Sequence, residues 1–297
     1  MYFIRKGIAM KTFSFKRGFL AAATCIMMGT TALAATPADT YKEAVNNMIN
    51  NPQGEYTMQI QAKMPFVGEG TCTAAFDVQA DPFVSQVKFS AAAMGQSSPT
   101  VNGYIEQSGK KLIYYYDGTY AKLDNKKSSK HTWVKNTVDL KSAEPIAKQI
   151  AGTHHVLSGV KDVTVHGDSY VVTYDMSKLY TAGDEKKWAQ YGAADRDIKI
   201  VKEILQALQE AGDVKANVAI DPSTKRITKI EIPLTEHIRS IATAIFKNDP
   251  APLKEREELL RFITMSEVSL SIECTALPNG MVLTVPDDVR KNAKEYK

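Results

Sequence analysis

Residues that could do chemistry are few and scattered in this chain of 297 residues. Its soft ligands and nucleophiles are three cysteines (Cys25, Cys72, Cys274) and five histidines (His131, His154, His155, His166, His237). Only His154 and His155 are neighbours, and adjacent residues on a strand point to opposite faces, which is poor geometry for one metal. They are read as loop or surface histidines, and no metal is expected. Asp195-Arg196-Asp197 and Asp287-Asp288 stand where helices begin, and carboxylates there complement the helix dipole without catalytic duty. No G-x-S-x-G, H-E-x-x-H, Walker or dinucleotide glycine pattern occurs. The expectation is a protein that is not an enzyme and carries no cofactor, with a hydrolase of dispersed site as the remote alternative.

Far more numerous are large apolar and aromatic side chains on one phase of alternating segments. Tyr56, Met58, Ile60, Phe76, Val78, Tyr104, Leu112, Tyr114 and Tyr116 are the candidate set. One reading makes them ordinary core beneath packed helices. The other makes them the lining of a concave apolar surface that holds a hydrophobic ligand, where Met adapts its shape and Tyr offers a polar tip.

Composition bounds these choices. With 44% hydrophobic and 24% charged residues the chain is an ordinary globular one. The formal charge of +4 is carried by the first 34 residues, which hold Arg5, Lys6, Lys11, Lys16 and Arg17 and no acid. Without them 32 basic residues face 33 acidic ones, so no basic footprint for nucleic acid remains. The same segment runs from basic residues through an apolar stretch, Phe19 to Met28, to Ala32-Leu33-Ala34. That is the layout of a secretory signal peptide, with Met1 or Met10 as the start. The apolar stretch is too short for a membrane span, which needs about 20 residues. Residues 1–34 are therefore expected to be cleaved, leaving an exported, periplasmic or otherwise extracytoplasmic protein of the cell envelope. Ala22-Ala23-Thr24 before Cys25 make a poor lipobox, so no lipid anchor is expected. The remaining cysteines, Cys72 and Cys274, both fall on the apolar phase of strands. An even pair in an exported protein suggests a disulfide, the alternative being two separate buried thiols.

The elements that position these residues follow from periodicity. Pro37 opens an amphipathic helix with Tyr41, Ala44, Val45 and Met48 at i, i+3, i+4, i+7 spacing. A hairpin follows, Tyr56 to Met64 with Cys72 to Ala80, then strands at Phe83–Ala91, Val101–Gln107, Lys111–Tyr116, Tyr120–Leu123 and Thr132–Val138. Seven strands in a row predict one curved antiparallel sheet. Ser142–Ala151 and Asp195–Ala211 read as helices, Val160–Val165 with Tyr170–Met176 and Val214–Ile220 with Ile227–Ile232 as hairpins. Glu236–Phe246 and Leu253–Ile263 read as helices, Val268–Cys274 and Val282–Val285 as strands, and Pro286 opens a terminal helix.

This order of elements resembles the LolA/LppX-like superfamily of bacterial envelope proteins. The likeness rests on the opening helix, the Trp133-Val134-Lys135 strand, the Ala219-Ile220-Asp221-Pro222-Ser223-Thr224-Lys225 turn and the Val285-Pro286-Asp287-Asp288-Val289 end. It covers most of residues 35–297, which are expected to form a single domain. The resemblance implies an α+β fold, an incomplete β-barrel of curved antiparallel sheet with helices packed over its concave face. It also implies a cavity for lipid or for lipoprotein acyl chains, with peripheral membrane contact allowed. The chain departs from the pattern in lacking a lipobox and in its long helical insertion from Glu236 to Ile263. A cell-envelope structural or protein-interaction module without a ligand cavity is the alternative.

Overall fold

The computed structural model describes residues 36–64, 68–117, 133–140, 157, 159–178, 202–203, 206–207, 209–247 and 253–295. The predicted signal segment, Tyr120–Leu123, Ser142–Ala151 and most of Asp195–Ala211 lie outside them.

The chain forms an α+β fold dominated by one large, open sheet of thirteen strands. Helix α1 (Pro37–Asn50) is followed by β1 (Gly54–Met64), β2 (Gly68–Ala80), β3 (Phe83–Ala93), the short β4 (Gln96–Ser97), β5 (Val101–Ser108), β6 (Lys111–Asp117) and β7 (Trp133–Asp139). Next come β8 (Val160–His166), β9 (Ser169–Tyr174), β10 (Val214–Asp221) and β11 (Arg226–Pro233). Helices α2 (Thr235–Lys247) and α3 (Leu253–Thr264), strand β12 (Glu267–Thr275), helix α4 (Asp287–Asn292) and β13 (Lys294–Glu295) complete the described elements. The strand order is β13-β7-β6-β5-β3-β2-β1-β12-β11-β10-β9-β8, with β4 attached to β3. The pairings are antiparallel except for β13 on β7. Two runs of consecutive strands are joined at the centre by β12, which lies between β1 and β11.

Helix α1 forms because Thr36 closes a capping box with Asp39 and Pro37 occupies the first turn. Its apolar stripe, Tyr41, Ala44, Val45, Met48 and Ile49, is buried on one face of the sheet. The same core holds Tyr56 and Phe76 from the middle of the sheet, Leu112 from β6, and Val163, Val172, Val214, Ala216 and Val218 from β8, β9 and β10. The Tyr41 and Tyr174 hydroxyls are hydrogen-bonded in this interior, where burial raises the pKa of both phenols and keeps them neutral. Asn47 Nδ2 donates to the Lys225 carbonyl at 3.0 Å, and Arg226 Nη2 to the Gln53 carbonyl at 3.0 Å, so the turn between β10 and β11 is tied to the foot of α1.

The opposite face of β3 to β7 is covered too, by the C-terminal segment. Leu277, Leu283, Val285 and Val289 pack against Val84 and Tyr115, with Tyr104, Ile113 and Trp133 at the margin. Arg290 holds Glu106 through Nη2 at 2.5 Å and Nε at 3.3 Å, and the Tyr115 hydroxyl donates to the same carboxylate at 2.8 Å. Val282–Val285, predicted as a strand, makes no ladder: it lies flat over the sheet and buries Leu283 and Val285 instead of joining an edge.

Candidate functional site

The nine candidate residues do not form one surface. Tyr56 and Phe76 sit directly opposite each other across β1 and β2 and are buried in the same core as the α1 stripe, as is Leu112. The Tyr56 hydroxyl donates to the Pro52 carbonyl at 2.7 Å, and burial pushes its phenol up to about 12. Met58, Val78 and Tyr114 pack on the same core from its margin. Tyr116, opposite Gly103, shares their phase. Tyr56, Phe76 and Leu112 are core, with Met58, Val78 and Tyr114 packed against it.

Tyr104 is a correction. The β5–β6 hairpin turns in two residues, Gly109 and Lys110, with Gly109 at φ +58°, so Ser108 pairs with Lys111 and Tyr104 with Tyr115. An even number on β5 therefore shares its face with an odd number on β6. Tyr104 lies on the far side of the sheet from Tyr114 and Tyr116, against Trp133 at a ring separation of 5.7 Å.

The disulfide is a second correction: both cysteines are free thiols. Cys72 stands opposite Ile60 and Cys274 opposite Tyr56, with β1 between them. Two strand spacings and a four-residue offset put their Cα atoms more than about 15 Å apart, against the roughly 7 Å a bridge allows. Both face the same side of the sheet, which is what the alternation indicated, but Cys274 is buried and Cys72 exposed. Burial pushes the Cys274 thiol up to about 12.

Beyond these buried residues the same face runs out into the open. Ile60, two pairs along from Tyr56, is 42% exposed. It lies between Leu270 and Cys72 on the neighbouring strands. The last residue of β1, Met64, lies over Gly70, where a Cβ would come within 3.3 Å of the Met64 methyl carbon. At this end of the sheet β3 turns through Met94 and β12 begins just after Met265; these methionines are 62% and 50% exposed. Met94 also adopts φ +54° ahead of Gly95. A hairpin turn of this kind ordinarily takes Asn or Asp there, and a bulky residue pays a left-handed backbone cost. None of these methionines was singled out in the sequence, because exposure at a strand end has no periodicity.

His237 is a third correction. Read as a surface residue, it is only 7% exposed, and neither ring nitrogen has a hydrogen-bond partner among the described residues. The signal was available: Ile241 follows at i+4, so the helical period puts His237 on the apolar side of α2. His166 lies on the exposed rim of β8, and Asp287 and Asp288 are exposed in the first turn of α4. His131, His154, His155 and Asp195-Arg196-Asp197 lie outside the described residues.

Among the described residues no three His, Cys, Asp or Glu side chains are grouped to hold a metal, and no helix is long and apolar enough to cross a membrane. No protein-family model matches the chain, and no curated protein matches it in sequence.

Proposed function

We propose that this chain is an exported, non-enzymatic protein of the cell envelope that binds a lipid or a lipoprotein acyl chain without covalent chemistry. In this reading the sheet is an incomplete barrel of the LolA/LppX kind, curved around α1, and α1 to α3 lie over its concave side. A single core that reaches from Leu112 on β6 to Val163 on β8, strands far apart in the sheet order, supports the curvature. The observation that carries the ligand is the apolar exposure at one end of the sheet, where Ile60 on the core face and Met94 and Met265 at neighbouring strand ends stay exposed while the other end of the face is filled. Each buried methylene of an acyl chain would contribute about 0.8 kcal/mol there. Flexible thioethers accommodate chains of varied shape. The strained, exposed Met94 is costly for folding alone, as expected of a side chain kept for contact with a partner.

The burial of Tyr56, Phe76 and Leu112 in one core with the α1 stripe favours the second reading, an envelope interaction module, for that half of the face. Native mass spectrometry of gently purified protein separates the two. A co-purified lipid, displaced by added oleate, supports the first; a clean apo mass together with no oleate binding by calorimetry leaves the module.

A further inference from the structure

The imidazole of His237 is buried, and neither ring nitrogen has a hydrogen bond among the described residues. An imidazole always carries at least one N–H, and burying it unmatched is costly. Such groups in native proteins call for an explanation, of which a missing ligand is one. Its position is informative. Helix α2 is sewn to the start of β12 by three hydrogen bonds: Leu234 N to the Val268 carbonyl at 2.8 Å, Val268 N to Thr235 Oγ1 at 3.0 Å, and Thr235 Oγ1 to the Val268 carbonyl at 3.4 Å. His237 follows two residues later. Val268 is opposite Ala62, next to Ile60 on the same face of β1, and Met265 closes α3, which packs on α2. The helix that carries the buried ring thus starts beside the uncovered apolar end of the sheet. The neighbouring Glu236 carboxylate is already engaged by Arg239 Nη1 at 2.6 Å, so no free carboxylate on that turn competes for the imidazole.

We infer that His237 is the polar subsite for the headgroup of an amphipathic ligand, donating a hydrogen bond to an anionic oxygen, while the alkyl chain lies on Ile60, Met94 and Met265. This rests on the hydrophobic-ligand reading above and specifies its chemistry: a single-chain lipid ending in a carboxylate or phosphate, bound headgroup inward at the root of α2.

The test is calorimetric titration of the chain with oleate, oleyl alcohol and oleoyl lysophosphatidic acid, which share one tail. A charge-assisted hydrogen bond makes the wild type bind one of the anionic ligands at least about tenfold more tightly than the alcohol. The preferred anion tells carboxylate from phosphate. In His237→Leu the three ligands converge on the alcohol's affinity, which is itself unchanged, and the thermal midpoint does not fall, because an unsatisfied polar group has been replaced by an apolar one. His237→Gln, which retains a donor, keeps part of the preference. Equal binding of all three by the wild type, or a preference that survives in His237→Leu, overturns the subsite while leaving the ligand reading standing. So does a His237→Leu chain that unfolds while His237→Gln keeps the full preference, since that marks a structural ring. Failure of all three ligands to bind the wild type overturns the ligand reading itself.

Discussion

Replacing Leu112 and Ile60 with alanine removes the same three carbons from the same face of the sheet, yet the two changes should differ sharply. Leu112 is fully buried and Ile60 is 42% exposed. Three buried methylenes are worth about 2.4 kcal/mol of transfer energy. Leu112 is enclosed in the packed core, so a residual cavity adds to this and the total comes to about 4 kcal/mol. At Ile60 the transfer term shrinks to about 1.4 kcal/mol and water fills the space, so no cavity term arises. For a domain of this size each kcal/mol lowers the thermal midpoint by roughly 2–4 °C. Calorimetry should therefore show Leu112→Ala melting about 8–16 °C early and Ile60→Ala about 3–6 °C early, with urea midpoints in the same order. Oleate affinity should respond the other way, weakening in Ile60→Ala and holding in Leu112→Ala. Equal destabilisation by the two changes would refute the argument, because the face would then be sealed along its whole length.

Other outcomes follow from single features. Met94→Asn relieves a left-handed methionine and should raise stability by about 1 kcal/mol in urea titration while weakening oleate binding; a loss of stability would show that the methionine is core. Of Cys72 and Cys274 only Cys72 should react with maleimide in the folded protein, Cys274 following only in guanidinium, as peptide mapping of the labelled chain would read; two modified sites without denaturant would contradict the burial. Burial holds Cys274 and Tyr56 protonated up to about 12, whereas in the unfolded chain they ionise near about 8.5 and about 10. Their contribution is complete below the unfolded values and is lost as pH rises through the folded ones, so the thermal midpoint should fall between about pH 9 and 12, with Cys274→Ala delaying the onset to about pH 10. Arg290→Met leaves the Glu106 carboxylate without its cation beneath the C-terminal segment; it should cost about 2 kcal/mol and expose residues 276–295 to limited proteolysis, and an unchanged digestion pattern would remove the latch from the account.

Much of the architecture was legible because it is written in local periodicity. The stripe of α1, the alternation of β1 and β2 and the hairpins around Gly109 and Asp221 each declare themselves within a dozen residues. Relations between distant segments were not. Whether Tyr104 shares a face with Tyr114 depends on the parity of one two-residue turn, and a slip of one residue reverses the answer. The alternation put Cys72 and Cys274 on one side correctly, yet their separation depends on β12 pairing with β1, a partner more than two hundred positions earlier. The segment after Thr275 has the alternating look of a strand but serves as a cover, since Leu283 and Val285 fit over Val84 and Tyr115 better than an edge could bury them. At the candidate site, Tyr56, Phe76 and Leu112 are core, Tyr104 is on the other face and Ile60 is exposed, whereas Met94, Met265 and His237 are informative through exposure or an unmet hydrogen bond, properties that exist only in three dimensions.

The seat of α1 also constrains the order of events when the chain is made. The helix is the first described element to emerge, but Tyr41 bonds a residue 133 positions later and Asn47 one 178 positions later. Until β9 and β11 exist, its greasy stripe has no berth, and a fourteen-residue segment holds little helix by itself. A nascent chain of this kind stays unlocked until its last quarter arrives, and then closes on its own beginning.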